Sequence, residues 1–474
     1  MDIKHSEKAS GEHEEFVDSE MMKSDKSQTE YAEAYVPDTE EEKKLVRKID
    51  LYILPTMWIM YLLSYMDRTN IGNAKIAGMD KDLGLDSARY SIVLVVFFIG
   101  YVLWEVPSNM ILARTKPSIF LPAIMFLWGC ATIGMAFIES YEALIGLRVV
   151  VGLLESGFAP GMLLLLSSWY KPHEQARRFG VYISAAILSG AFGGLIAGSI
   201  TKGLDGSHGL AGWRWLFIVE GAATAGWSIV ASFILMDFPA NTKRLSEAER
   251  ELAIRRLMAD PSRLDGGEDR PKLSHFQALK VALTDWKVWL FVIGYMAVVG
   301  SSTLSYFYPT LVAGLGYSTV NAQYMTIPIY VCAFVVTIIV VFYMDKYPRW
   351  RGLVLGVCMG VACLCSIITC AVYDFKARYA LLVIMASGLW ASNGLSLAYA
   401  SSTFTTMTAE VRGISLAFVN AMGNLAQIYG SYLFPSKDSP KYLMGFGVIS
   451  GLCFTGVVAY LALFILIKRP TARR

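Results

Sequence analysis

The chain has 474 residues, 55% of them hydrophobic and 17% charged, with a mean hydropathy of +0.45. A soluble domain carries roughly 25% charged residues, so a water-soluble globular fold is excluded. The formal net charge of +3 hides an uneven split: residues 1–42 hold 14 acidic and four basic residues, which leaves +13 for residues 43–474. No run of this chain pairs that positive charge with a nucleic-acid-binding pattern, and the partner implied throughout is lipid.

Residues 1–42 contain neither a basic n-region nor an apolar h-region, so they are not a signal peptide; they read as a disordered acidic cytoplasmic tail. Ser19, Ser24, Ser27 and the tail lysines are its candidate modification sites. Uncharged stretches of membrane length then recur. Twelve spans are expected, at about 51–73, 90–112, 118–138, 142–168, 179–201, 213–236, 287–309, 322–344, 352–373, 378–403, 412–434 and 444–467. The run Val288–Met344 has no charge and is too long for one helix; Pro309 and Gly314-Leu315-Gly316 are expected to divide it.

The fold class is therefore an all-α membrane protein of twelve transmembrane helices. They fall into two six-helix halves, 43–236 and 286–468, with a short basic tail at 469–474. Thirteen loop and tail Lys and Arg residues fall on the terminus side and nine on the other, which places both termini in the cytoplasm. Between the halves, residues 237–285 form a cytoplasmic loop. Ser246 and Glu249 make a capping box there for an amphipathic helix running through Met258, with Leu252, Ile254 and Leu257 apolar, and Asp265-Gly266-Gly267 and Pro271 ending it. That helix is expected to lie on the membrane face as a strap. All seven cysteines sit in apolar spans with no His at ligand spacing, which argues against a metal site, and no cofactor motif is present.

Asp67, Glu105, Glu155 and Glu220 lie inside the spans, with Arg68 beside Asp67 and Arg148 seven residues before Glu155; all five histidines lie in tails or loops. A charge at bilayer depth costs roughly 2.5–3.5 kcal/mol on insertion scales, so each needs a partner or a job. If protons are moved, carboxylates must carry them. Seven residues advance a helix by about 700°, so Arg148 and Glu155 share a face about 10 Å apart along the axis. Asp67 lies about 9 Å outward of the middle of span 1, at the depth of Arg148, so the two are expected to pair. Glu155 falls near mid-membrane, where transporters bind substrate. The second half has no mid-span charge. Asn420, Asn424 and Gln427 share one face of span 11, and Trp390 and Asn393 lie in the middle of span 10; these are read as a neutral wall for the substrate body. Glu105, followed by Pro107, is read as gating the inner mouth, Glu220 as reaching for interfacial water or a lysine, and Gly190, Gly193 and Gly194 as close helix packing.

Two six-span halves joined by a cytoplasmic loop, with Arg148-x-x-x-Gly152 in span 4, resemble the major facilitator superfamily. Three strings resemble, in combination, the fungal allantoate permease family of anion:cation symporters: Ser64-Tyr65-Met66-Asp67-Arg68-Thr69-Asn70, Gly100-Tyr101-Val102-Leu103-Trp104-Glu105-Val106-Pro107-Ser108-Asn109 and Gly212-Trp213-Arg214-Trp215-Leu216-Phe217-Ile218-Val219-Glu220-Gly221. The resemblance implies a non-enzymatic plasma-membrane symporter, taking up a small carboxylate such as allantoate, nicotinate or pantothenate together with protons. In such symporters the span-1 Asp-Arg pair and the span-4 Arg and Glu serve binding and coupling. The expectation for this chain is that protonating Asp67 releases Arg148, that Arg68 forks onto the substrate carboxylate, and that Glu155 is the second titrating group. Other readings are an exchanger or facilitator in which the carboxylates only bind, and a nutrient receptor without much flux. A monomer is expected.

Overall fold

Backbone polar groups in lipid must find partners within the chain. The computed structural model, which describes residues 36–259 and 275–468, meets this demand with helices and no strand among the described residues. Among the described residues, eleven segments are long and apolar enough to cross a membrane: Glu40–Asp82, Ser87–Leu112, Pro117–Met135, Tyr141–Trp169, Arg177–Gly203, Gly212–Ile234, Trp286–Gly314, Thr319–Lys346, Pro348–Ala371, Phe375–Thr403 and Leu443–Ile467. A further helix, Ala409–Gly430, has 22 residues and lies between the last two, but Asn420, Asn424 and Gln427 dilute its apolarity. In chain order these are spans 1 to 12, with Ala409–Gly430 as span 11.

Several boundaries differ from the sequence expectation. The first helix starts at Glu40, inside the stretch read as tail, because Thr39 Oγ1 caps it by accepting from Glu42 N at 3.2 Å. Residues 1–35 of that tail, with Ser19, Ser24 and Ser27, lie outside the described residues, as do the loop glycines at 266–267, Pro271 and the terminal residues 469–474. Pro309 does not end span 7. The span passes through a 3₁₀ turn, Thr303–Phe307, and Pro309 opens its last segment, Tyr308–Gly314, where a missing N–H is harmless.

The strap helix runs Glu247–Met258 with both bonds of the capping box made: Ser246 Oγ accepts from Glu249 N, and Glu249 Oε2 accepts from Ser246 N. Its anchor is Arg256, which is fully buried. Arg256 Nε donates to Glu42 Oε1 at 3.0 Å, its Nη2 pairs with Glu174 and its Nη1 donates to Trp169 O at 3.4 Å. Lys171 Nζ joins the same Glu42 oxygen at 3.0 Å. The strap thus ties the head of span 1 to the loop between spans 4 and 5. The other end of the central loop holds the second half, since helix His275–Thr284 buries Ala278 and Ala282 against Val411 at the foot of span 11.

The halves meet near the outer face. Tyr90 Oη donates to Tyr306 O at 3.5 Å, Gln323 Nε2 to Asn73 O at 3.4 Å and Ser436 N to Ser87 Oγ at 2.6 Å. Gly190 and Gly194 of span 5 lie against Tyr330 and Thr326 of span 8, so the packing read from these glycines is contact between the halves. Among the described residues, every side-chain hydrogen bond joining the two halves lies toward the end of the bundle opposite the strap, so the halves are latched at that end.

Removing Arg256 leaves buried carboxylates short of a cation, a change that costs roughly 3–5 kcal/mol. The half-exposed Lys48–Glu249 pair, at 2.8 Å, belongs to the class worth about 0–1 kcal/mol. Thermal unfolding of detergent-purified protein should therefore show a large loss for Arg256→Met and almost none for Lys48→Met.

Candidate functional site

Ser64 and Arg68 are one helical turn apart on one face of span 1. Both reach the same atom: Ser64 Oγ donates to Glu155 Oε1 at 2.6 Å, and Arg68 Nη2 at 2.7 Å. Glu155 is the last residue of the helix Tyr141–Glu155, and helix resumes at Phe158. Pro160 explains the break, since it has no N–H to give to the carbonyl of Ser156. A mid-membrane break of this kind puts a carboxylate beside freed backbone groups, as transporter sites do. Gly152, one turn earlier, allows span 2 to come close; a Cβ there would stand 2.3 Å from Phe97 O.

That approach surrounds Arg68 with rings. Its guanidinium carbon lies 4.9 Å from the Tyr65 ring centre, 5.2 Å from Tyr101 and 5.3 Å from Phe97. Each such contact is worth about 0.5–2 kcal/mol, more where water is excluded. Arg68 is 8% exposed and Glu155 1%. The pair nevertheless keeps unused capacity, because Arg68 Nε and Glu155 Oε2 have no hydrogen-bond partner.

The expected Asp67–Arg148 pair is not formed. Helical phase turns Asp67 about 100° away from Arg68, toward spans 3 and 6. There Asp67 Oδ2 accepts from Trp128 Nε1 at 3.1 Å and from Thr224 Oγ1 at 2.8 Å. Gly129 and Gly221 make this convergence possible: a Cβ on Gly129 would lie 2.8 Å from Ala225 N and one on Gly221 2.8 Å from Gly129 O. Arg148, 2% exposed, sits 5.3 Å from the centre of the Phe97 ring, with no ion-pair partner among the described residues. Glu105 likewise forms no ion pair among the described residues. It lies one turn inward of Tyr101, and the cation that bears on it is Arg68, so a latch to cytoplasmic cations is not made in this state.

The second half supplies the neutral side. Tyr306 Oη donates to Gln427 Oε1 at 3.1 Å, and Gln427 Nε2 donates to Asn424 Oδ1 at 3.4 Å. Tyr295 Oη donates to Asn393 Oδ1 at 3.5 Å. Trp390 lies 6.3 Å, ring centre to ring centre, from Tyr330, which packs edge-on to Tyr308 at 5.4 Å. Asn420 is half-buried and takes no side-chain hydrogen bond. Tyr306 is within electrostatic reach of Arg68, which brings the two halves' contributions together. Sequence reasoning missed Ser64, Trp128 and Thr224. Ser64-x-x-x-Arg68 carried the one available signal, an i, i+4 spacing onto the face of a buried cation.

The family profile described as Major Facilitator Superfamily matches residues 57–431. The chain belongs to this superfamily. This facilitator is 36% identical over 436 residues to the MFS transporter prlL of a fungal species (strain NRRL 50135), covering 90% of this chain and 86% of that one. It is 30% identical to the major facilitator-type transporter hxnP of Emericella nidulans, over 86% and 82% of the two chains. To the high-affinity nicotinic acid transporter of Saccharomyces cerevisiae it is 28% identical, over 87% and 75%. Among solved structures it shares the fold of a bacterial homolog of the human lysosomal transporter Spinster in an inward-facing, unoccupied conformation. There the TM-score is 0.69 at 16% identity, over 90% of this chain and 99% of that one. The xylose transporter XylE of E. coli gives a TM-score of 0.64 at 15% identity, over 90% and 100%.

Arg68→Ala should destabilise the facilitator by roughly 3–5 kcal/mol, because it strands Glu155 as a buried carboxylate. The double change Arg68→Met with Glu155→Leu should recover most of that loss in a thermal unfolding assay. A double variant as unstable as Arg68→Ala alone would show that the pair's charges do not account for the loss.

Proposed function

We propose that this facilitator is a proton-coupled uptake carrier for small organic monocarboxylates, working by alternating access at a fungal plasma membrane, as a monomer. The observation that carries the reading is the buried Arg68–Glu155 pair at 2.7 Å, with an open guanidinium N–H and an open carboxylate oxygen. A guanidinium takes a carboxylate in a two-point fork, and Glu155 occupies that cation in the empty carrier. When Glu155 takes a proton it becomes a neutral hydrogen-bond partner, and Arg68 is left for the substrate carboxylate. The reverse also holds: a substrate carboxylate that takes Arg68 leaves Glu155 without its cation, so binding of the anion and of the proton favour each other. Proton and anion then occupy the site together or leave it together, which is the requirement for symport. Without this exchange of partners, either the cation or the carboxylate would be left bare at low dielectric, at a cost of several kcal/mol.

The substrate body has a flat aromatic setting on the first half, Tyr65, Phe97 and Tyr101, and Trp390 with the amides of Asn393, Asn424 and Gln427 on the second. Asn420 completes this neutral wall, Arg148 adds positive potential from behind Phe97, and Glu105 lies on the inward path from Arg68. Likeness to the yeast nicotinic acid transporter and the strings resembling allantoate permeases support a planar, nitrogen-bearing carboxylate such as nicotinate. An exchanger without proton coupling is the second reading, since the same pair binds an anion whether or not Glu155 titrates.

Uptake into proteoliposomes should rise as the external side is made more acid, and nicotinate uptake should be blocked by other heteroaromatic acids but not by their amides. Arg68→Lys should lose most transport, because a point charge replaces the fork. Glu155→Gln should retain counterflow exchange while losing most of its gradient-driven accumulation; undiminished accumulation in that variant would remove Glu155 from the coupling.

A further inference from the structure

A second carboxylate pair lies behind the Arg68–Glu155 site. Glu220 of span 6 is 1% exposed, and neither of its oxygens has a hydrogen-bond partner. Thr224, one turn further along the same face, donates to Asp67 at 2.8 Å, and the charge that bears on Glu220 is that of Asp67. Asp67 itself is 4% exposed, with Oδ1 unpartnered. Asp67 and Glu220 are thus two buried carboxyls at the contact of spans 1 and 6, linked through Thr224 one turn from Glu220, and each keeps oxygen unpartnered.

Among the described residues, no cation pairs with Glu220. Span 3, Pro117–Met135, contains no charged residue, and span 5 none between Tyr182 and Lys202, which is exposed at its outer end. On span 1, Arg68 is spent on Glu155 and Lys75 lies 4.1 Å from the Tyr90 ring centre. From span 4, Arg148 sits on Phe97 and Glu155 faces Arg68. At the head of span 6, Asp82 accepts from Trp213 Nε1 at 2.7 Å. Two ionised carboxylates cannot coexist in such a place, so protons must be present. A carboxyl kept only to hold the fold would be hydrogen-bonded, as buried polar groups are. Glu220 is not held in that way among the described residues, and its oxygens are open to a proton.

We propose that Glu220, acting with Asp67, binds a second transported proton, distinct from the one on Glu155. This rests on the symport reading above and deepens it. Asp67 and Arg68 are consecutive residues, so any rotation of span 1 that changes the Arg68–Glu155 pairing also moves Asp67 relative to Glu220. The proton rides on a carboxyl oxygen, entering as H⁺ and leaving as H⁺ with no other bond changed. Two protons with one monocarboxylate make each cycle carry one net positive charge inward.

The test is the voltage dependence of nicotinate uptake in proteoliposomes, with a potassium–valinomycin potential set independently of the pH gradient. The wild-type carrier should accumulate substrate in response to an inside-negative potential alone. Glu220→Gln should lose that response while keeping gradient-driven uptake, at about tenfold lower accumulation per unit of pH gradient for the one proton lost. If the glutamine variant does not reach the membrane, Glu220→Asp decides. It keeps a titratable carboxyl, so voltage-driven uptake should persist with a displaced pH profile, whereas an unmoved profile would overturn the proposal. Wild-type uptake that follows the pH gradient but ignores voltage would overturn this inference and leave the Glu155 reading intact. Wild-type uptake that ignores the pH gradient would overturn the symport reading itself. Voltage-driven uptake that requires sodium would overturn the proton assignment in favour of a metal cation.

Discussion

The cost of an unpaired charge in a low-dielectric interior governs this molecule. Nearly all of the membrane-embedded surface is apolar, so each intramembrane charge stands out as a problem the fold must solve. Arg68 and Glu155 solve it for each other at 2.7 Å, with Ser64 and three aromatic rings supplying the rest of the enclosure. The same pair is poor as a pure staple, because burying two ions in this way gains little over a packed apolar contact. In the proposed symport its value lies in being exchangeable: a proton replaces the cation at Glu155, and a substrate carboxylate replaces Glu155 at the cation.

The surrounding architecture makes that exchange directional. Contacts between the halves are concentrated at the outer face, where Tyr306 of the second half accepts a bond from Tyr90 through its backbone and gives one to Gln427 through its hydroxyl. A substrate that moves Tyr306 therefore touches both the outer latch and the amide wall of span 11. On the cytoplasmic side the strap is held to the first half through fully buried Arg256, while helix His275–Thr284 is held to the second. The central loop thus grips each half firmly at one end, a suitable mounting for two bodies that rock against each other.

Much of this was legible in the sequence because hydrocarbon imposes simple rules. Length and apolarity located the spans. The Ser246–Glu249 box announced the strap. The intramembrane charges themselves were legible for the same reason, since six charges in apolar spans are hard to miss. Their pairing was not. Depth along the axis placed Asp67 level with Arg148, but depth says nothing about azimuth, and about 100° of helical phase turns Asp67 to Trp128 and Thr224 instead. Trp128 carries no periodic signal that would single it out in span 3. Glu220 looked interfacial because it lies in the outer part of its span, yet the tight crossing of spans 3 and 6 at Gly129 and Gly221 seals it from water. Such crossings depend on which helix neighbours which, and one sequence does not disclose that.

The central claim is that anion entry and proton entry are one event at Arg68 and Glu155. The most direct measurement loads wild-type proteoliposomes with a pH-sensitive dye, sets equal pH on both sides, and adds nicotinate outside while labelled nicotinate entry is followed in parallel. The account predicts that the interior acidifies as substrate enters, at a rate that saturates at the same nicotinate concentration as the uptake itself. Nicotinate entry with no change in interior pH would contradict it.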